Sequence, residues 1–399
     1  MDTADALVET VRSLWPGAEA TAGPARSHQD GIAEFAVVPH LRSPRLLVPA
    51  HDARAAARAL WRFNAATSAR ETWGRAALAA AVRGAGPLPF RDRIVVHGSP
   101  GRSLTEHLSE LFGERVSFSL GIGNARVNRK PVLQLFGEQG RSLAFAKVGD
   151  SAQGKADVRA EAASLEVLGG CSWRTLSTPR LLHHGTWAGM DVLAMSTLPT
   201  SPWHRPGHQW QLPSQSMAEL ADVFVEEPRP LHMLPWIERQ RAIAAGLTDA
   251  RLAEEHAQAV DEALDRSDEL VWEVGAWHGD WTPWNMARHR HRVQLWDWER
   301  FERGVPRGLD PFHYCVNAVT RRDGTSPESI IRGLELAGAS RHERSTRTHQ
   351  LAALYLLAAA GRYLPLTAAA AGQHIAGRAR ATLDALRLWT RDAAGNGRS

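Results

Sequence analysis

The segment His278-Gly279-Asp280-Trp281-Thr282-Pro283-Trp284-Asn285 is followed, twelve residues after its Asn, by Asp297-Trp298-Glu299. These types at this spacing suit phosphoryl transfer from a nucleotide. That chemistry needs a carboxylate to orient or deprotonate an acceptor hydroxyl, and oxygen ligands for a magnesium ion bridging the phosphates. Asp280 is placed for the first task. Asn285 and Asp297 suit the second, because magnesium favours hard oxygen ligands. The gap between them fits a short hairpin, Met286–Arg288 with Val293–Leu295, which would bring both ligands to one end.

The surrounding pattern predicts the elements that position these residues. Val116–Leu120, Pro131–Phe136 and Ser142–Val148 alternate like strands, a helix runs from about Lys155 to Leu168, and Arg180–His184 and Met190–Met195 are strands around the turn Gly185–Gly189. Short connections favour antiparallel pairing. From Ser214 onward helical periodicity dominates: Gln215–Val225, Leu231–Ala245, Asp249–Arg266, Pro311–Arg321, Pro327–Ala337, Thr346–Leu364 and Gly377–Arg391. Trp272–Phe301 reads as irregular and holds six of the fifteen Trp. Residues 1–112 read as a separate α/β unit, with strands at Ala33–Val38, Pro44–Val48 and Arg93–Val96 and helices at Asp52–Phe63 and Thr67–Val82. No catalytic constellation lies there, and a structural cap or extension is the simplest role.

At 399 residues the chain is long enough for two or three units. Its 44% hydrophobic and 23% charged content is that of a globular protein. Two cysteines make no disulfide framework, the start is acidic where a signal peptide would be basic, and the most apolar stretch, Leu351–Ala360, ends at Gly361-Arg362. A cytoplasmic protein with no membrane partner is expected. A net charge of +4 and the lack of any basic run with interleaved aromatics give no support to nucleic-acid binding. Only Lys130, Lys147 and Lys155 are lysines, against 44 arginines. Lys is a compact point charge and Arg a planar fork, so each surviving Lys asks for a reason.

Taken together the motifs resemble the aminoglycoside phosphotransferase family, small-molecule kinases of the protein-kinase-like fold. H-G-D-x-x-x-x-N and D-W-E match it, and Ala146-Lys147-Val148 resembles its third-strand lysine motif. Glu161 resembles the helix glutamate that pairs with that lysine; Glu166 is the rival. Ala194-Met195-Ser196-Thr197-Leu198-Pro199 looks like the hinge that reads adenine, and Gly308-Leu309-Asp310-Pro311 resembles the family's G-D-P. The set occurs in family order over roughly residues 113–390. The glycine loop departs from the pattern: Gly121 and Gly123 are present, and Arg126 stands where a third Gly would be. Gly279 replaces the Arg of protein kinases, and ten residues between Glu299 and Asp310 leave no room for a peptide-holding activation segment.

The resemblance implies an α/β (α+β), two-lobed kinase-like fold: an N-lobe over 113–199 with an antiparallel sheet and one helix, and a mostly helical C-lobe over 200–399. Residues 1–112 form the added α/β unit. It implies ATP and Mg2+ as cofactors and a small-molecule hydroxyl acceptor, a sugar or amino sugar first and a choline-like amino alcohol second. A non-catalytic nucleotide-binding module is the reading from another class. Gly121, Gly123, Lys147, Glu161 and the Ser196 and Leu198 backbone would bind nucleotide, Asp280 would orient the acceptor hydroxyl, and Asn285 and Asp297 would hold magnesium. His278 is expected to tie the catalytic loop to the backbone near Asp297, and Glu299 to touch a second magnesium or shape the turn. Asp310 reads as a helix cap. Trp281 and Trp284 are core by default, with acceptor stacking the alternative. Lys130 and Lys155 read as turn or surface residues. His183-His184 and His289-Arg290-His291 lack zinc spacing.

Overall fold

The computed structural model describes residues 3–24, 31–62, 69–87, 89–98, 101–122, 130–199, 211–267, 270–339, 346–368 and 373–396. The chain divides into two compact units, residues 1–170 with 178–209 and residues 171–177 with 210–399.

The first unit is built on one nine-stranded sheet. Its strands are β1 (Glu19–Pro24), β2 (Ala33–Val38), β3 (Leu46–Pro49), β4 (Asp92–His97), β5 (Ser117–Gly121), β6 (Val132–Phe136), β7 (Ser142–Gly149), β9 (Leu181–Trp187) and β10 (Met190–Ser196), with β8 (Leu176–Ser177) belonging to the other unit. The spatial order is β1-β4-β2-β3-β5-β6-β7-β10-β9. Every adjacent pair is antiparallel, both the short-connected pairs β2–β3, β5–β6, β6–β7 and β9–β10 and the long-range pairs such as β3–β5. Side chains alternate between two cores. Phe35 and Val37 of β2 join Leu133, Leu135, Ala146 and Val148 on one face. Ala36 joins the Ala-rich helix α2 (Ala53–Arg62) and α3 (Ala69–Ala85) on the other. On the first face lie α1 (Thr3–Ser13) and α4 (Leu104–Phe112), which starts with a Ser103–Glu106 capping box and ends at left-handed Gly113.

The expected boundary at residue 112 does not divide the structure. β3 pairs with β5 through Leu46↔Gly121 and Leu47↔Leu120, so residues 1–112 extend the sheet of β5, β6, β7, β10 and β9. The three-strands, one-helix, two-strands order does appear, with α5 (Ala152–Gly169) between β7 and β9. Packing the two sheet faces with α1–α4 buries apolar side chains that an isolated five-stranded sheet would expose.

The second unit is mostly helical: α6 (Ser214–Val223), α7 (Pro235–Gly246), α8 (Ala250–Asp265), α9 (Asp310–Asp323), α10 (Pro327–Ala339), α11 (Thr346–Tyr363) and α12 (Gln373–Asn396). It also holds two small sheets, β11 (Glu226–Pro230), β12 (Val271–Trp277) and β15 (Glu302–Pro306) in one, and β13 (Met286–His289), β14 (Arg292–Leu295) and β8 in the other. In the first of these, β12 falls at the start of the Trp272–Phe301 stretch read as irregular, and β11 and β15 fall between the expected elements. β11 and β15 carry prolines and charges, and they are tolerated because both are edge strands flanking β12. With its flanks, Thr346–Ala368 is long and apolar enough to cross a membrane, beyond what Leu351–Ala360 alone suggested; 61% of its most apolar window is buried, and α11 packs on α12 and α8.

Candidate active site

In the first unit, Ala146 and Val148 of β7 point into one core, so Lys147 points to the opposite face. There its Nζ lies 2.6 Å from Glu161 Oε2 on α5, with Lys147 8% and Glu161 0% exposed. The helix is brought this close by glycines. A Cβ on Gly149, at the end of β7, would stand 2.6 Å from the Gly154 carbonyl carbon. Ser151 caps the helix by accepting from the Gly154 amide. Glu166, the rival partner, is exposed on the same helix. Lys130 does not sit in a solvent-facing turn as expected. Its Nζ is 3.0 Å from Asp157 Oδ2, so α5 carries two lysine–carboxylate pairs one turn apart, the Lys147 pair the more deeply buried.

Gly121 ends β5, paired with Leu46 and Val132; Gly123 lies outside the described residues. The Ser196 amide and hydroxyl are both engaged at the end of the sheet. Its amide donates to Arg180 O and its Oγ accepts from Arg180 N, which closes the end of β10. That N–H is spent inside the sheet and is not on offer to an adenine. Leu198 follows the strand, half-buried.

In the second unit the loop between β12 and β13 holds the expected H-G-D-x-x-x-x-N residues. Asp280 Oδ2 accepts from Asn285 Nδ2 at 2.8 Å, and the same amide reaches Asp280 O at 3.0 Å. Asp280 Oδ1 accepts from His313 Nε2 at 3.1 Å. Burial pushes the Asp280 carboxyl up, but the hydrogen bond from His313 and the nearby Arg362 charge hold it below the ordinary Asp value. The carboxylate is thus ionised, doubly held and still partly exposed, the state a base for a hydroxyl proton requires.

The hairpin sets the distance from Asn285 to Asp297. Met286 pairs with Leu295, and Trp296 N donates to Asn285 O, so the ladder runs one step past β13 and β14. Asp297 comes next and sits at φ 72°, ψ 58°, a left-handed conformation that costs a non-glycine residue about 1–2 kcal/mol. Strain of this kind, held by ordered neighbours, marks sites where a side chain must be aimed. With both Asn285 Nδ2 bonds going to Asp280, its amide oxygen faces elsewhere. That oxygen and the Asp297 carboxylate are a donor set that fits magnesium.

Three groups fix the loop's backbone. His278 Nδ1 accepts from Asp280 N, so its proton is on Nε2, which donates to Trp296 O. Burial drives this imidazole down to about 4, keeping it neutral. The expected tie between the loop and the backbone before Asp297 is this bond. Asp310 accepts from His278 N at 2.8 Å and Gly279 N at 3.1 Å. It makes no cap for α9, contrary to the local reading; it holds the catalytic loop, and burial pushes its carboxyl up to about 7. Arg362 of α11 donates to Gly279 O and lies 4.8 Å over Trp277. Glu299 is half-buried beside Arg300, 3.6 Å from its Nε.

The tryptophans separate. Trp281 is fully buried, its Nε1 3.4 Å from Met286 Sδ, so it is core and not an acceptor contact. Trp284 is 37% exposed and Arg321 stacks on it at 4.8 Å. Sequence reasoning missed His313 and Arg362. Each had a signal: His313 is three residues beyond Asp310 on one helix face, and Arg362 interrupts an apolar helix.

No family model matches the chain, and no curated protein does. Among solved structures it is similar to a thermostable mutant of aminoglycoside phosphotransferase APH(4)-Ia in apo form. That match has 16% identity and a TM-score of 0.49, over 73% of this chain and 99% of the other. It is similar to a putative fructosamine-3-kinase from Haemophilus somnus 129PT at 12% identity and TM-score 0.43, over 71% and 97%. A third is spectinomycin phosphotransferase APH(9)-Ia in complex with ADP and spectinomycin, at 13% identity and TM-score 0.40, over 72% and 97%.

Proposed function

We propose that this protein transfers the γ-phosphoryl group of ATP to a hydroxyl of a small molecule, a sugar or amino sugar. The observation that carries the reading is Asp280, an ionised carboxylate held at both oxygens beside Asn285 and one ladder step from the strained Asp297. A module that only bound nucleotide would not require a base so prepared. Lys147, held by Glu161, meets the α- and β-phosphates, and the Leu198 backbone meets the base. Asn285 and Asp297 would hold magnesium, which when bound neutralises charge on the phosphates. Asp280 orients the acceptor hydroxyl and takes its proton. Trp284 offers an exposed aromatic face on which the apolar face of a sugar ring stacks.

The test is acceptor-dependent ADP release with ATP and magnesium over a panel of sugars, amino sugars and amino alcohols. Turnover with a sugar or amino sugar, abolished in Asp280→Asn, is the expected result. Turnover with amino alcohols alone would replace the acceptor class. Tight ATP binding without turnover on any acceptor would replace the enzyme by a binding module.

A further inference from the structure

We propose that His313 is a positioning residue that fixes Asp280 through its Nε2–H donor. This rests on the phosphotransfer reading above. Asp280 has two carboxylate oxygens, and Asn285 holds one of them from within the same loop, five residues away. The other is held from outside the loop, by His313 at 3.1 Å and 33 residues on. A carboxylate tied at one oxygen swings about its terminal torsion, which is broad and soft. Tied at both, it keeps one plane, and the remaining lone pairs point toward one place for the hydroxyl proton.

The surroundings of His313 match that task. The residue is 1% exposed. Its ring is wedged edge-on between Trp277, 6.3 Å away at 90°, and Tyr355, 6.0 Å away at 75°. These contacts fix its plane. Its Nδ1 is 3.5 Å from the Tyr355 hydroxyl, and its carbonyl accepts from Asn317 Nδ2 at 2.8 Å, while Arg378 donates to Asn317 Oδ1 at 2.6 Å. Asp310, three residues earlier on α9, holds the His278 and Gly279 amides. One helix turn therefore carries two supports for the loop, Asp310 under its backbone and His313 on its reacting side chain. An apolar side chain of similar size would fill the same space without the cost of burying a polar ring. What it would lose is the bond to Asp280. Burial, with Arg362 and Arg378 nearby, keeps the imidazole neutral against the pull of Asp280.

His313→Met keeps volume and lacks a donor; His313→Gln keeps an N–H donor at similar reach. Steady-state ADP release, thermal melting and the magnesium–ATP melting shift are measured on both. Displacing a reacting group by about 1 Å costs on the order of 10²-fold. We expect kcat of His313→Met to fall by about that factor, with KM for ATP and the magnesium–ATP shift unchanged, and His313→Gln to recover most of kcat. Equal losses in both variants, or a His313→Met kcat within twofold of wild type, would overturn the proposal. A long-range 15N spectrum of the wild type gives a readout free of turnover. It should show His313 protonated on Nε2, with that proton's resonance moving upfield in Asp280→Asn. Protonation on Nδ1, or no response to Asp280→Asn, refutes the contact. Wild-type protein that turns over no acceptor sinks the parent reading instead, and the spectrum still decides the contact.

Discussion

Gly279→Ala isolates how tightly the catalytic loop is built. Gly279 has φ +78°, and a Cβ there would lie 2.5 Å from Arg300 O, 2.8 Å from Arg362 Nη2 and 3.2 Å from Arg300 Cβ. The left-handed backbone alone costs about 1–2 kcal/mol for an L side chain. The nearest atom is a backbone oxygen, which cannot rotate aside, and the next belongs to the arginine that donates to Gly279 O. Overpacking of this kind costs about 1–3 kcal/mol. A total of roughly 2–5 kcal/mol in a unit of about 200 residues lowers Tm by about 4–20 °C, at about 2–4 °C per kcal/mol. Ordinary contact begins at 3.4 Å, so the loop and Arg300 must part by about 0.9 Å. At about 10²-fold in rate per ångström of misplacement, turnover of the folded variant falls by nearly two orders of magnitude. The control is Gly304→Ala, with φ +66° and no neighbour nearer than Glu226 Oε1 at 3.7 Å, which costs only the backbone part. Calorimetric melting and ADP release on both variants decide. If Gly279→Ala melts no lower than Gly304→Ala and keeps its turnover, the loop is not clamped between Arg300 and Arg362.

Three other outcomes are expected. Lys147→Met removes the cation 2.6 Å from the buried Glu161 carboxylate, at a cost of about 3–5 kcal/mol; adding Glu161→Leu should restore the melting temperature but not turnover, and a double variant with full activity removes Lys147 from the mechanism. Trp281→Ala should cost about 3–5 kcal/mol by cavity formation, whereas Trp284→Ala should cost under about 1 kcal/mol and act on the acceptor KM; reversed stabilities would refute the assignment of Trp281 to the core. His256 is fully buried, with no hydrogen-bond partner for either ring nitrogen, and burial lowers it to about 4. Its unfolded value is 6.5, so the unfolded chain alone binds the proton between these values, and stability falls as pH drops from 6.5 towards 4. The loss is about 3 kcal/mol at 1.36 kcal/mol per pH unit. His256→Leu should flatten that limb in urea titrations at pH 4.5 and 7, and an unchanged limb would show that His256 is not the group.

The hairpin from Met286 to Leu295 was legible because its turn and ladder, with Asn285 and Asp297 at its ends, lie within one short stretch. The strands and helix around Lys147 were legible for the same reason, since β6 and β7 are neighbours in sequence as well as in the sheet. What was lost is non-local. β3 meets β5 across more than seventy residues, so residues 1–112 looked separate when they are one sheet with the rest. Asp310 obeyed the local rule for a cap, yet its partners are amides 31 and 32 residues upstream, and tertiary contact overrode position. His313 and Arg362 reach their partners across 33 and 83 residues. Ser196 sits where the hinge motif places it, but the sheet had already claimed its amide.

The most direct test of the account separates Asp280 from Asp297. Melting is measured with ATP, with and without magnesium, on Asp280→Asn and Asp297→Asn, beside acceptor-dependent ADP release. A ligand at a hundred times its Kd stabilises the folded state by about 2.7 kcal/mol, whether or not it reacts. Asp280→Asn should keep the magnesium-dependent shift and lose about 10²–10⁴-fold in turnover, while Asp297→Asn should lose the shift. If Asp280→Asn loses the shift while Asp297→Asn keeps it, the roles are reversed; if both keep shift and turnover, this loop does not transfer phosphate.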